Sequence, residues 1–168
     1  MPYTQFLPNE AATLALGERT ASLFRAPVVI HLQGNLGAGK TTFTRYLLRA
    51  LGVAGRIKSP TYAVMEPHET PSGLAVFHFD FYRFSDPAEW EDAGLRDAFA
   101  APALKLAEWP QQAGGLLPVP DLDVLIAPEE GSAAEDGALQ ARRITLTAAP
   151  PLGRRLLNTL DSHTLESF

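Results

Sequence analysis

The chain of 168 residues contains no cysteine. That excludes a disulfide framework and any thiolate-ligated zinc site, and it leaves the redox compartment open beyond showing no need for oxidation. No apolar run approaches the ~20 residues of a membrane-spanning helix. The start, Met1-Pro2-Tyr3-Thr4-Gln5-Phe6-Leu7, lacks the basic residues and long apolar core of a secretory leader, so the expected location is the cytoplasm. Positive charge is in short supply, with 14 Lys and Arg against 19 Asp and Glu for a net charge of −5. A domain whose main task is to grip nucleic-acid phosphates by itself is thereby disfavoured. Residues 106 to 141 hold no lysine or arginine at all. The cations cluster instead at Arg45, Arg49, Arg56 and Lys58, at Arg142-Arg143 and at Arg154-Arg155. They read as solvated faces, with docking to an anionic partner as the alternative. No Asn-Lys-x-Asp segment occurs, which speaks against a guanine-reading GTPase.

What is present is a phosphate loop. Gly34-Asn35-Leu36-Gly37-Ala38-Gly39-Lys40-Thr41-Thr42 satisfies G-x-x-x-x-G-K-[ST] directly after the apolar run Val28-Val29-Ile30-His31-Leu32. Glycines let the backbone curl so that successive N–H groups point inward at phosphate oxygens. Lys40 reaches the β and γ phosphates in such a loop, Thr41 supplies a hydroxyl to Mg²⁺, and Thr42 donates one more hydrogen bond. Phe43, Leu47, Ala50 and Leu51 recur at helical spacing up to Gly52, so a helix starts beneath the phosphates and adds its positive dipole end.

The remaining pattern predicts one α/β domain over residues 1–168, with no internal repeat and no low-complexity segment. A strand at about Tyr3 to Leu7 leads through Pro8 to Asn9, a helix N-cap, and Ala12, Leu16 and Leu23 mark one buried face. Thr70-Pro71-Ser72-Gly73 separates an alternating segment ending near His68 from an apolar run, Leu74 to Tyr82, which reads as a hairpin. Asp86-Pro87-Ala88-Glu89 starts a helix. Ala103 to Ala107 and Asp121 to Ala127 read as strands, Glu129 to Gly137 as a surface loop, Arg143 to Thr147 as a strand and Leu152 to Leu160 as a closing helix.

Nucleotide hydrolysis also needs carboxylates to hold the metal and order the nucleophile. Asp80 ends the run Leu74 to Phe79 as a Walker-B aspartate would, and Glu108 ends the strand before it. Both sit beside the phosphate loop if their strands run parallel to the first. His78 shares a strand face with Asp80; it reads as a packed or hydrogen-bonded residue more readily than as a metal ligand. Trp109 either fixes the neighbouring carboxylate or stacks on a base or partner. Arg83 reads as an ion-pair partner, and no arginine finger is assigned.

These motifs together resemble the TsaE (formerly YjeE) family of small bacterial P-loop ATPases. The resemblance rests on G-N-L-G-A-G-K-T-T at Gly34 to Thr42, K-S-P-T-Y at Lys58 to Tyr62, H-F-D-F-Y-R at His78 to Arg83, D-P-A-E at Asp86 to Glu89, and E-W-P at Glu108 to Pro110. It spans about residues 5 to 120 and weakens beyond Pro120. It implies a P-loop NTPase-like fold, a mixed central β-sheet flanked by helices, and ATP and Mg²⁺ as cofactors. It also implies service to the partner proteins TsaD and TsaB in forming threonylcarbamoyladenosine in tRNAs that read codons beginning with adenine, with tRNA met only indirectly through that complex. Carried onto this chain, Lys40, Asp80 and Glu108 are the catalytic candidates, and Thr41, Asp80 and Glu108 the metal candidates. Asn35, Leu36, Gly37, Ala38, Gly39, Lys40, Thr41 and Thr42 hold the phosphates. Ser59, Pro60 and Thr61 form a switch-like loop that senses the γ-phosphate, and Glu10 with Thr13 lies near the adenine. One departure stands inside the loop, where the family usually has Asp and this chain has Asn35. Two other classes remain open: a small-molecule kinase, against which the cation-free stretch argues because it leaves no late arginine-bearing lid, and a non-catalytic nucleotide-dependent binding module.

Overall fold

The computed structural model describes residues 2–60, 62–86, 88–92, 94–129 and 141–164. Thr61, Pro87 and all but Glu129 of the expected surface loop therefore lie outside the described residues. Seven strands form one sheet: β1 (Tyr3–Leu7), β2 (Val29–Gln33), β3 (Met65–Glu69), β4 (Ala75–Asp80), β5 (Leu104–Glu108), β6 (Leu122–Pro128) and β7 (Arg142–Ala148). Their order is β1-β7-β6-β2-β5-β4-β3. The inner strands β6, β2, β5 and β4 run parallel, while β1 and β7 on one side and β3 on the other pair antiparallel, so the sheet is mixed.

Helices α1 (Glu10–Thr20), α2 (Lys40–Ala50), α3 (Ala88–Asp92), α4 (Leu95–Ala100) and α5 (Leu152–Thr164) flank it. Asn9 caps α1, its side-chain Oδ1 accepting from the Ala12 N–H at 3.0 Å. The helix stops short of Leu23, which is buried in a 3₁₀ turn, Ala21–Phe24. Asp86 and Glu89 start α3 by accepting each other's side of the turn: Asp86 Oδ1 takes the Ala88 N–H, and Glu89 Oε1 takes the Asp86 N–H.

Side chains alternate across the strands and divide the core in two. Ile30, Leu32, Val76, Leu106 and Val124 face Leu16 of α1, Phe43 and Leu47 of α2 and Leu156 and Leu160 of α5. Phe79, Phe81 and Ala107 face Trp90 of α3, Leu95 of α4 and Ala113, which lies in a 3₁₀ segment, Pro110–Leu116. The second layer is aromatic, with Phe79 stacked on Phe99 at 4.3 Å between ring centroids and Trp90 stacked on Phe99 at 5.3 Å. The expected hairpin forms, β3 and β4 pairing across Thr70 to Gly73, where the Gly73 N–H reaches the Thr70 carbonyl at 2.9 Å. At the other end β6 and β7 are joined at a closed neck: the Glu129 N–H meets the Ala141 carbonyl at 2.9 Å, and Arg143 makes two hydrogen bonds to the Glu129 carboxylate. No helix among the described residues is long and apolar enough to cross a membrane.

Candidate active site

The carboxyl ends of β2, β5 and β4 lie side by side, with Asp80 in register opposite Glu108 and Leu32 opposite Glu108 on the other flank. Open parallel sheets place their ligands in the crevice at this edge. The loop after β2 turns there through positive φ at Gly34, Gly37 and Gly39. Gly34 is required by space as well as by conformation, and Gly39 by conformation. A Cβ at Gly34 (φ +151°) would stand 2.4 Å from the Ile126 carbonyl, and one at Gly39 (φ +109°) would stand 1.8 Å from the Arg142 guanidinium. Gly39 is also the N-cap of α2 and offers no side chain to its first N–H groups. A helix start of this kind is suited to anionic oxygen.

Lys40 is buried, 5% exposed. Its ammonium donates to the carbonyls of Gly34 at 2.6 Å and Asn35 at 3.0 Å and lies 4.2 Å from the centroid of the Trp109 ring. Burial lowers its pKa, against the opposing pull of the Glu108 and then the Asp80 carboxylates. Trp109 takes its place through a left-handed backbone (φ 56°, ψ 49°), a conformation rare for a bulky residue, and its ring also packs against Tyr82 at 5.0 Å. The ring thus packs on Lys40 and Tyr82 and also lines the cavity.

The two carboxylates are knitted together. Thr41 Oγ1 donates to Glu108 Oε1 at 2.9 Å, and the buried His78 Nε2 lies 2.6 Å from Glu108 Oε2. The Ser59 hydroxyl donates to Asp80 Oδ2 and lies 3.3 Å from Glu108 Oε2, while Asp80 Oδ1 accepts the Tyr82 N–H at 2.9 Å. Among the described residues no group of three or more His, Asp and Glu side chains is arranged to hold a metal ion. A threonine hydroxyl with neighbouring carboxylates is nonetheless a hard oxygen set, of the kind Mg²⁺ completes with phosphate oxygens and water.

A cavity of about 510 Å³ opens over these groups. Leu36, Gly37, Gly39, Lys40, Thr41 and Thr42 form its floor, and Ser59, Asp80 and Glu108 one wall. Asn35 and Ala38 shape the loop from beneath, the Ala38 N–H reaching the Asn35 carbonyl at 3.0 Å. Glu10 and Thr13 are not on the cavity wall. Glu10 accepts a hydrogen bond from the Tyr46 hydroxyl, and Thr13 is buried in α1.

Arg142, by sequence one of a solvated arginine pair, instead lays its guanidinium across Gly39 and lines the same cavity. The cation-free stretch ends at the residue before it, so an arginine just past that stretch still reaches the site in space. Nothing local to Arg142 announces this; the signal would have been the pairing of β7 with β6, which pairs with β2.

A parallel strand leading through a positive-φ glycine loop into a helix, with acids ending the adjoining strands, defines a P-loop NTPase-like fold. The profile of the family described as "Threonylcarbamoyl adenosine biosynthesis protein TsaE" matches residues 7–136. The chain is 35% identical to the tRNA threonylcarbamoyladenosine biosynthesis protein TsaE of Haemophilus influenzae, over 95% of this chain and 98% of that protein. It is 33% identical to the protein of the same name from Bacillus subtilis, over 92% and 91%. The crystal structure of Bacillus subtilis YdiB matches with a TM-score of 0.72 and 28% identity, covering 98% of this chain and 97% of that one. The chain belongs to the TsaE family.

Proposed function

We propose that this chain is a Mg²⁺-dependent ATPase that acts in the cytoplasm with the TsaD and TsaB proteins in forming threonylcarbamoyladenosine in tRNAs that read codons beginning with adenine. The observation that carries the reading is the convergence of Lys40, Thr41, Asp80 and Glu108 on one cavity at the uncapped start of α2. The bound Mg²⁺ would neutralise phosphate charge. Lys40 and the first N–H groups of α2 hold the phosphates, and Arg142 adds a guanidinium over the same loop. Thr41 and Glu108 hold the metal, with Asp80 as the Walker-B-like acid beside them. Ser59, bonded to Asp80, ties the loop before Thr61 to the acids, which suits a segment that responds to the γ-phosphate.

The rim of the cavity supports dependence on partners. Leu36 is 73% exposed and Tyr62 85% exposed, with the Arg83 guanidinium 4.5 Å from the Tyr62 ring centroid. Apolar and aromatic side chains left in water beside a catalytic mouth are suited to a protein surface. The net charge of −5 leaves contact with tRNA to the partners.

Phosphate release by the purified chain, alone and with TsaD and TsaB, tests the reading. Release should rise with the partners and be lost in Lys40→Ala, Asp80→Ala and Glu108→Ala. Phosphorylation of a small metabolite without partner stimulation would establish the kinase reading instead. Partner binding only with ATP, together with tRNA modification sustained by Glu108→Ala, would establish the binding module.

A further inference from the structure

His78 is fully buried, borders no part of the cavity, and touches neither a nucleotide position nor solvent. Its side chain belongs to the α2-facing row of β4, Val76–His78–Asp80, and Leu106 is its partner on β5 just as Glu108 is the partner of Asp80. The imidazole therefore approaches Glu108 from inside the sheet. Its Nε2 lies 2.6 Å from Glu108 Oε2, while Nδ1 is buried with no hydrogen-bond partner among the described residues. A carboxylate can only accept, so the ring nitrogen that meets it, Nε2, carries a proton and donates it there.

The two oxygens of Glu108 are consequently unlike. Oε2 accepts the His78 N–H and has the Ser59 hydroxyl nearby at 3.3 Å, whereas Oε1, among the described residues, accepts from the Thr41 hydroxyl at 2.9 Å. We propose that His78 is a positioning residue that commits Oε2 of Glu108 to the protein interior and thereby presents Oε1, together with Thr41 Oγ1, as a pre-set pair of oxygen ligands for Mg²⁺. The inference rests on the reading of Glu108 and Thr41 as metal ligands given above. It adds a group behind the ligand, of the kind that orients metal-binding carboxylates and sets their affinity. His78 does not touch the metal or the nucleotide; it acts through Glu108 alone.

The test compares His78→Phe, which keeps a ring and removes the donor, with His78→Gln, whose amide N–H₂ occupies nearly the position of Nε2. ATP affinity is measured by calorimetric titration in EDTA and across a Mg²⁺ series, with thermal midpoints taken on the same samples. In EDTA both variants should bind ATP as the parent does, because the lysine and the loop are unchanged. The Mg²⁺ concentration needed for half of the metal-dependent gain should rise about 10- to 100-fold in His78→Phe and return most of the way in His78→Gln. A merely structural histidine would shift the thermal midpoint without moving the Mg²⁺ requirement, or would be replaced no better by Gln than by Phe; either result overturns the proposal. If the parent chain itself binds ATP without any dependence on Mg²⁺, the metal assignment of Glu108 and Thr41 fails and the role of His78 fails with it. If the parent depends on Mg²⁺ and His78→Phe matches it, His78 alone is misassigned.

Discussion

The two faces of the sheet are made by the same strands and do different work. Toward α2 the strands present aliphatic residues, Ile30, Leu32, Val76 and Leu106, and this row ends in His78, Asp80 and Glu108 at the carboxyl edge. On the opposite face the neighbouring positions carry Phe79 and Ala107, roofed by Phe81, Phe99 and Trp90 in stacked contact. Both acids of the site thus hang from the aliphatic face, and the aromatic layer presses on the backs of the strands that hold Asp80 and Glu108. Chemistry and rigidity are separated by one residue of alternation.

If that separation is real, each face can be damaged while sparing the other. Phe79→Ala removes the centre of the aromatic stack and should destabilise the fold by about 3–5 kcal/mol, the range for a buried phenylalanine. Chemical denaturation would measure it, and ATP affinity of the remaining folded protein should stay near that of the parent. Lys40→Ala should do the reverse, weakening ATP by roughly 10- to 100-fold, as expected for a charge-assisted phosphate contact, while the denaturation midpoint barely moves.

Acidification probes both faces together. His31 alternates with Ile30 and Leu32 and so lies on the aromatic side, whereas His68 shares the row of Glu66, the strand partner of His78. Burial lowers the pKa of each, joined at His68 by the neighbouring His78, and outweighs the pull of Asp123 on His31 and of Glu66 on His68. The unfolded chain then takes up protons first, from about pH 6.5 downward, so stability should fall as pH drops from that value through the lowered folded-state values. Thermal midpoints recorded from pH 7.5 to 5 should show the decline, and His31→Gln and His68→Gln should each flatten it. The smallest effect is expected at Asn35. Its backbone carbonyl, not its side chain, receives the Lys40 ammonium, so Asn35→Asp should still bind nucleotide. Complete loss of binding on titration would show that charge at this position governs the loop.

The parts of this arrangement that could be read from the chain are the local ones. The phosphate loop declares itself because strand, glycines and helix are contiguous, and Asn9 and the turn at Thr70 to Gly73 act within a few residues of themselves. Asp80 and Glu108 were legible as strand ends, but only on the condition that their strands ran parallel to β2. The contact of His78 with Glu108 depends on β4 lying beside β5, and the reach of Arg142 over Gly39 depends on β7 entering between β1 and β6. Such pairings are set by tertiary packing, which leaves no mark in the periodicity of either strand. The short helix Leu95–Ala100 and the 3₁₀ segment after Trp109 escaped for a related reason, since pieces this brief hold their shape through the aromatic layer they cover.

The closed neck between β6 and β7 bears on the cavity. Arg142 stands immediately inside it, fixed by the pairing of Arg142 with Pro128 and by the bonds between Glu129 and residues 141 and 143. The neck thus acts as a clamp, and the place of the guanidinium over the phosphate loop is set by residues 128, 129, 141 and 143.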